Sequence, residues 1–359
     1  MKIAFIVNDI ATEIHTYTTI NLAYQAMQMG HEAYIAGVGD LMYLANGHMG
    51  ASAFRVEEGV KSTEVMLGEM QTAYENSSVS LIESDMKPVK ITSEDLDVMF
   101  IRNDPSDDRE NRPWAQSAGV IFGKIAVRNG VIVLNDPEAL HNALNKMYFQ
   151  HFPELVRPRT IITRNVDDVR RFYDECEQKI VLKPLQGSGG KDVFMVKGKE
   201  AANLDQIVEA ISRNGFVIVQ EYLPAAKDGD TRMFVVNGRP LENDGKIACF
   251  QRVNEGDDFR SNLHAGGRPQ KAEVTDDMLR LAEALRPKII QDGLFMIGLD
   301  IVGDKLMEIN VFSPGGMMSA GMQQGTEFFP TVIEAIEKKV YYRKIYDGHL
   351  DNATLAIME

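Results

Sequence analysis

The chain has 359 residues, of which 44% are hydrophobic and 25% charged, and a formal net charge of -14. That length is more than one compact core and predicts two or three domains. The acidic balance excludes a basic nucleic-acid face and disfavours an anionic membrane surface, while local basic clusters remain able to hold anionic substrates.

The chain opens on KIAFIV (2–7), a short apolar run that reads as a buried parallel strand. The polar loop NDIATEIHTYT, the helix-like TINLAYQAMQMGHE and the strand-like AYIAGVG complete a βαβ outline. Ligands bind at the carboxyl edge of such sheets, where this loop lies. LDVMFIRNDPSDD and GVIVLND add two more strands, so residues 1–140 read as one α/β domain. The start carries no signal-peptide or membrane-span pattern, and a cytoplasmic protein is expected. Cys176 and Cys249 are far apart and outside any CxxC pattern, which fits a reducing compartment better than a disulfide or zinc framework.

PEALHNALNKMYFQHF reads as a helix from Pro137, RPRTIIT as a strand and VDDVRRFYDECE as an amphipathic helix. KIVLKPLQGSGGKDVFMV is a strand, a glycine-rich loop and a strand. The helix NLDQIVEAISRN and the strand FVIVQEYLP follow, and Asn237-Gly238 between β-rich runs signals a hairpin. Residues 254–269 form a long polar loop, of the kind that is either functional or disordered. LFMIGLDIV and KLMEINVF are two strands, and FPTVIEAIEKKV is a closing helix. The last stretch, 346–359, carries no legible signal.

The glycine loop is not a P-loop, because Leu185 and Asp192 stand where Gly and Ser or Thr are needed and a strand follows instead of a helix. Its plain reading is a hairpin tip. Lys183 inside an apolar strand argues for more, since a buried lysine is costly unless it meets an anion. Asp300, Glu308 and Asn310 interrupt two apolar runs. Glu308 and Asn310 share a strand face. A three-residue turn, Gly303 to Lys305, sets Asp300 opposite Glu308, and a two-residue turn separates them. With the first register, three oxygen donors converge in a way that suits Mg²⁺. Arg232, Arg252 and Arg260 are each ordinary surface residues taken singly, but together they offer the planar donor forks that neutralise a transferring phosphoryl group. No GxSxG, HExxH or HxH pattern is present.

The order of LMYLANG, FIRNDP, VLNDPEALHNALNKMYF, IVLKPLQGSGGKDVFMV, QEYLPAAKDGDTRMFVVNG, FRSNLHAGGR and GLDIVGDKLMEINVFSP resembles bacterial glutathione synthetases, members of the ATP-grasp carboxylate–amine ligases. The resemblance spans residues 1–340 or so. It implies an α/β and α+β fold with a Rossmann-like pre-ATP-grasp domain (1–140), a first ATP-grasp lobe (141–215) and a second (216–345). Lys146 and Lys183 look like the phosphate-holding lysines, and Gly187, Ser188, Gly189 and Gly190 like the lid. Gln220, Glu221, Tyr222 and Leu223 look like the adenine hinge, with Asp230 toward the ribose. Asp300, Glu308 and Asn310 look like the ligands of Mg²⁺, with Mn²⁺ as a substitute, which in turn implies the odd-length turn. Arg232 and Arg252, with Asn310, look like the residues that stabilise an acyl phosphate under a mobile 254–269 loop.

The substrates implied are a small carboxylate, γ-glutamylcysteine, and a small amine, glycine, with no nucleic-acid or membrane partner and with a homo-oligomeric assembly. Arg102, Asp104, Arg260, Asn262, Ser313, Pro314, Gly315 and Gly316 are the candidate substrate contacts. The segment after EINV departs from the family pattern, reading FSPGGMM without the basic residue expected there, and the NDIATEIHTYTTI loop differs too. The alternative is therefore a related ligase joining another carboxylate or peptide to another amine. A non-catalytic nucleotide-binding regulator would not need the full set of lysines, arginines and carboxylates.

Overall fold

The computed structural model describes residues 1–77, 87–187, 192–253 and 267–359. KIAFIV forms β1 (Lys2–Val7), buried from Ile3 onward because parallel strands are covered on both faces. α1 (Thr18–Gln28) leads to β2 (Glu32–Gly37), parallel to β1. β3 (Leu41–Tyr43), β4 (Met49–Arg55), α2 (Thr63–Ser77) and β5 (Val89–Thr92) follow, with β3 and β5 antiparallel on β4. β6 (Val98–Ile101) pairs with the other side of β1 in parallel, and α3 (Ala118–Arg128) crosses to β7 (Ile132–Leu134). The order β3-β4-β2-β1-β6-β7 reverses direction between β1 and β6. The crevice at that reversal holds the loop after β1, with Glu13, and the loop after β6, with Arg102 and Asp104.

The helix expected from Pro137 breaks in two. α4 (Pro137–Asn142) stops, and a separate 3₁₀ turn spans Lys146–His151. Asn145 caps that turn by accepting from Met147 N at 2.9 Å, and Lys146 N donates to Leu185 O at 2.9 Å. A continuous helix would have to spend that N–H within itself.

The first lobe follows, with β8 (Thr160–Thr163), α5 (Val166–Glu175), β9 (Lys179–Pro184), β10 (Phe194–Lys197), α6 (Leu204–Ser212) and β11 (Val217–Glu221). Its four strands run β10-β9-β11-β8, all antiparallel, over a core of their own that includes Val169, Leu182, Val208 and Val219. The second lobe begins with β12 (Asp230–Val236), which turns at Asn237-Gly238 into β13 (Arg239–Pro240) as the hairpin signal requires. β14 (Glu242–Asn243) and β15 (Lys246–Ile247) form a small pair. β16 (Cys249–Val253), β17 (Arg268–Gln270), α7 (Asp276–Gln291), β18 (Met296–Val302) and β19 (Lys305–Asn310) complete a sheet ordered β17-β16-β12-β18-β19. α8 (Met317–Gln324), α9 (Phe329–Ile345) and α10 (Asn352–Ile357) end the chain. α7 is absent from the sequence reading and carries Pro287 in its interior.

The turn between β18 and β19 has two residues, since Val302 pairs with Lys305 and Ile301 with Leu306. The three-residue turn is thus corrected. The register then slips by one residue, so that Asp300 still faces Glu308. A β-bulge does what an odd-length turn was invoked to do.

The N-terminal sheet and the second lobe share a core, in which Met99, Val133 and Leu140 belong with Val235, Ile297 and Leu299. Asn135 stitches the two units: its Nδ2 donates to Met296 O at 3.0 Å and Val311 O at 2.6 Å, and its Oδ1 accepts from Met296 N at 2.8 Å. The illegible tail docks on the same seam. Asn352 accepts from Val133 N at 2.8 Å and donates to Val133 O at 2.9 Å, taking the place of a further strand on edge strand β7.

Candidate active site

An open cleft lies between the two lobes and the N-terminal unit, and Asp104, Lys146, Lys183, Gly187, Gln220, Glu308, Asn310 and Ser313 all line it. Lys183 projects from β9 and donates to Gln220 Oε1 on β11 at 3.1 Å. Burial, then the nearby Lys146 ammonium, pull its pKa down to about 8 against Glu308 and Asp300. Two lysines held this close are a site for polyanionic phosphate. Lys146 Nζ pairs with Glu308 Oε1 at 2.5 Å. Burial alone would raise the Glu308 carboxyl, but Lys146 foremost holds it below the ordinary range.

Behind Glu308 lies a buried cluster on three adjacent strands. Asp300 on β18 takes both arms of Arg232 from β12: Arg232 Nε donates to Oδ1 and Nη2 to Oδ2, the latter at 3.0 Å. Arg252 Nη2 on β16 reaches Asp300 Oδ2 at 2.8 Å and also grips Asp230. Asn310 Nδ2 donates to Asp300 Oδ2 at 3.2 Å. Burial would push Asp300 up, and the two guanidiniums instead hold it well below the usual carboxylate range. Arg252 is desolvated too, yet Asp300 and Asp230 keep it firmly charged. Asp300, Glu308 and Asn310 are therefore brought together as expected. Glu308 and Asn310 line the cleft beside the two lysines and offer oxygen donors that fit a hard divalent cation, whereas both Asp300 oxygens are already taken by Arg232, Arg252 and Asn310.

Asp230 is placed differently from its expected ribose role: it is 2% exposed and its carboxylate is engaged by Arg252. Of the hinge residues, only Gln220 has its side chain in the cleft lining. Glu221 Oε1 accepts from Arg159 N at 2.7 Å, the Tyr222 ring lies under Lys179 Nζ at 3.5 Å, and Leu223 precedes a 3₁₀ turn over Pro224–Asp228. Ser188, Gly189, Gly190, Arg260 and Asn262 lie outside the described residues.

Arg102 and the SPGG segment meet at the seam. Arg102 is 2% exposed; its Nη2 donates to Pro314 O at 3.0 Å and its Nε to Thr19 Oγ1 at 3.1 Å. Burial lowers its pKa to about 9, with Glu13 opposing. Burial likewise pushes Glu13 up to about 7 against Arg102. Arg232 Nη1 donates to Gly315 O at 3.1 Å, and Gly316, at φ +94°, opens α8. A Cβ on Gly316 would stand 2.6 Å from Phe250 Cζ, so the segment's second glycine is required by close approach as well as by φ. Asp104 accepts from Ser106 N at 2.8 Å, and burial raises its pKa.

The sequence reading missed Tyr148 and Asp292, which meet beside the cleft, and Arg109, whose Nη1 donates to Gln186 O at 2.9 Å and ties the N-terminal unit to the start of the glycine loop. Tyr148 sits within a quoted segment, but nothing local marks its distant partner.

Two antiparallel sheets closing on a cleft, lysines on one side and carboxylates on the other, define an ATP-grasp enzyme, a ligase. The chain belongs to the prokaryotic glutathione synthetase family: that family's N-terminal domain matches residues 1–141 and its ATP-grasp domain residues 145–325. The chain is 31% identical over 343 residues to the glutathione synthetase of Escherichia coli strain K12, covering 95% of this chain and 99% of that one. It is 32% identical over 344 residues to that of Synechococcus elongatus, with the same coverage. Among solved structures, a D-cycloserine synthetase matches with a TM-score of 0.59 at 15% identity, covering 94% of this chain and 100% of that one. The D-alanyl-alanine synthetase A of Vibrio cholerae matches with a TM-score of 0.55 at 11% identity, covering 95% of this chain and 98% of that one. These two likenesses concern the fold. No helix among the described residues is long and apolar enough to cross a membrane.

Proposed function

We propose that this protein makes glutathione, joining the cysteine carboxylate of γ-glutamylcysteine to the amine of glycine at the expense of ATP. The observation that carries the reading is the convergence of Lys146, Lys183, Glu308 and Asn310 on one cleft, backed by the Arg232–Asp300–Arg252 cluster. Family membership, with similarity over 95% of the chain, supports it.

In this reading a carboxylate oxygen of the substrate attacks the γ-phosphorus of ATP, the bond to the ADP oxygen breaks, and an acyl phosphate forms. The amine nitrogen then attacks the acyl carbon, phosphate leaves with its C–O electron pair, and the amine gives up a proton. No protein atom need be bonded. Lys146 and Lys183 hold phosphate charge, Gln220 and the hinge backbone hold the base, and Gly187 leads into the lid. Arg232 and Arg252 stabilise charge that grows as the acyl phosphate forms. Glu308 and Asn310, with Asp300 behind them in its arginine cluster, would hold Mg²⁺, or Mn²⁺ in its place, which would supply charge neutralisation at the phosphates. Asp104, Arg102, Ser313 and the SPGG backbone bound the substrate side, and Arg260 and Asn262 are further candidate substrate contacts. A cytoplasmic homo-oligomer completes the reading.

The test is ADP release with ATP, Mg²⁺ and γ-glutamylcysteine, with and without glycine. Turnover that requires both substrates supports the reading. ATP binding without turnover, scored by thermal shift, rejects glutathione as the product. It would point to the second reading, a different amine or carboxylate, which the Arg102- and Arg232-bound carbonyls of Pro314 and Gly315 favour: that stretch is committed to internal contacts.

A further inference from the structure

Lys146 begins a six-residue 3₁₀ turn, whose hydrogen-bond geometry is poorer than that of an α-helix. Its side chain nevertheless has to stay aimed into the cleft. Two residues on, Tyr148 is 4% exposed and packs edge-on against Phe152, with ring centroids 5.5 Å apart. Its ring lines the cleft, while its hydroxyl donates to Asp292 Oδ2 at the end of α7. Asp292 is fixed from its other oxygen, Oδ1 accepting from Lys288 Nζ at 2.8 Å. The next residue, Gly293, accepts from Asp136 N at 3.1 Å, which ties the end of α7 to the N-terminal unit. The anchor is therefore tied down at both carboxylate oxygens and through its neighbour.

We propose that Tyr148 is a positioning residue for Lys146: its hydrogen bond to Asp292 locks the turn so that the Lys146 ammonium meets the nucleotide phosphates. The proposal rests on the ATP-dependent reading of the cleft. Without the bond, the turn retains the Asn145 cap, the Lys146 N–H to Leu185 O and the Lys146 Nζ pair with Glu308, so Lys146 stays nearby but loses one of the contacts that set its direction toward the phosphates. A charge-assisted bond to a half-buried carboxylate is of the strength that moves a binding constant by roughly one order of magnitude.

The experiment measures ATP binding by calorimetry and steady-state KM and kcat for wild type, Tyr148→Phe, Asp292→Ala and the double variant. Tyr148→Phe should raise Kd and KM for ATP about five- to tenfold, with kcat changed less than about threefold. Asp292→Ala, which removes the same bond from its more exposed side, should give the same split even if Tyr148→Phe folds poorly. The double variant should be no worse than either single one. Unchanged ATP affinity in the single variants, with wild type binding ATP, overturns the positioning role alone, as do effects that multiply in the double variant. A wild type that does not bind ATP overturns the positioning role together with the reading of the cleft.

Discussion

Replacing Asp300 by asparagine tests the buried charge cluster directly. The side chains of Asp300, Arg232 and Arg252 are 3%, 8% and 7% exposed, so each charge is compensated by its neighbours and not by water. Asn keeps the shape but removes the negative charge and turns one acceptor into a donor facing a guanidinium. Arg252 keeps Asp230, whereas Arg232 is left with the carbonyl of Gly315. Breaking a buried pair from one side costs about 3–5 kcal/mol, and retention of one acceptor puts Asp300→Asn near about 3 kcal/mol. At roughly 2 °C per kcal/mol for a protein of this size, the melting temperature should drop by about 6 °C.

Turnover should vanish as well, but the thermal shift should occur with and without Mg²⁺. The pH dependence gives a second check. Asp300 is held below its ordinary value of 3.8, so its stabilisation is present above that pH and is lost as the pH falls through the lower folded value. The gap between wild type and variant should stay constant from neutral pH to about pH 5, and narrow only below about pH 4. A variant that melts within a degree of wild type at pH 7 would show that the arginines are solvated, and the argument for a desolvated cluster fails.

Gly316→Ala should cost about 2–4 kcal/mol, since φ is +94° and the new Cβ would press on the Phe250 ring, itself 1% exposed; an unchanged urea midpoint refutes it. Asn352→Ala should cost about 2 kcal/mol and speed hydrogen exchange at the Val133 amide, which loses its partner at 2.8 Å; unchanged exchange there would mean that the tail does not cap β7. Glu13 has a folded pKa of about 7 against an ordinary 4.5, so the folded state binds its proton more tightly. Its stability contribution is full below about pH 4.5 and declines as the pH rises through 7. Wild type should therefore lose melting temperature between pH 5 and pH 8 by more than Glu13→Gln does. Parallel profiles for the two proteins would count against a buried carboxyl.

Much of the site was legible because its residues violate their surroundings. Lys183 stands in an apolar strand, and Asp300, Glu308 and Asn310 interrupt two buried runs, so the cost of desolvation marks them without any structure. The glycine loop and the Asn237-Gly238 hairpin are equally local signals. α7 was not legible because Pro287 breaks the expected helical pattern, and the split after α4 was not because the acceptor for Lys146 N–H is Leu185, far along the chain. Tyr148 and Asp292 look unremarkable in isolation, and their pairing exists only when α7 ends beside the 3₁₀ turn.

By itself the sequence determined which segments are buried strands and where the lysine in an apolar strand and the carboxylate hairpin lie, and the ligase pattern followed from the family these segments resemble. Those features depend on side-chain polarity and period within a few residues, where one residue's neighbours are set by the chain. The tertiary structure alone decided who pairs with whom. It recovered the Asp300–Glu308 register through a bulge on a two-residue turn. It gave Asp230 to Arg252, and it turned an unreadable tail into the cap of β7. Each of these is a choice among partners distant in sequence, settled by which groups folding has removed from water and left in need of a hydrogen bond or a counter-charge.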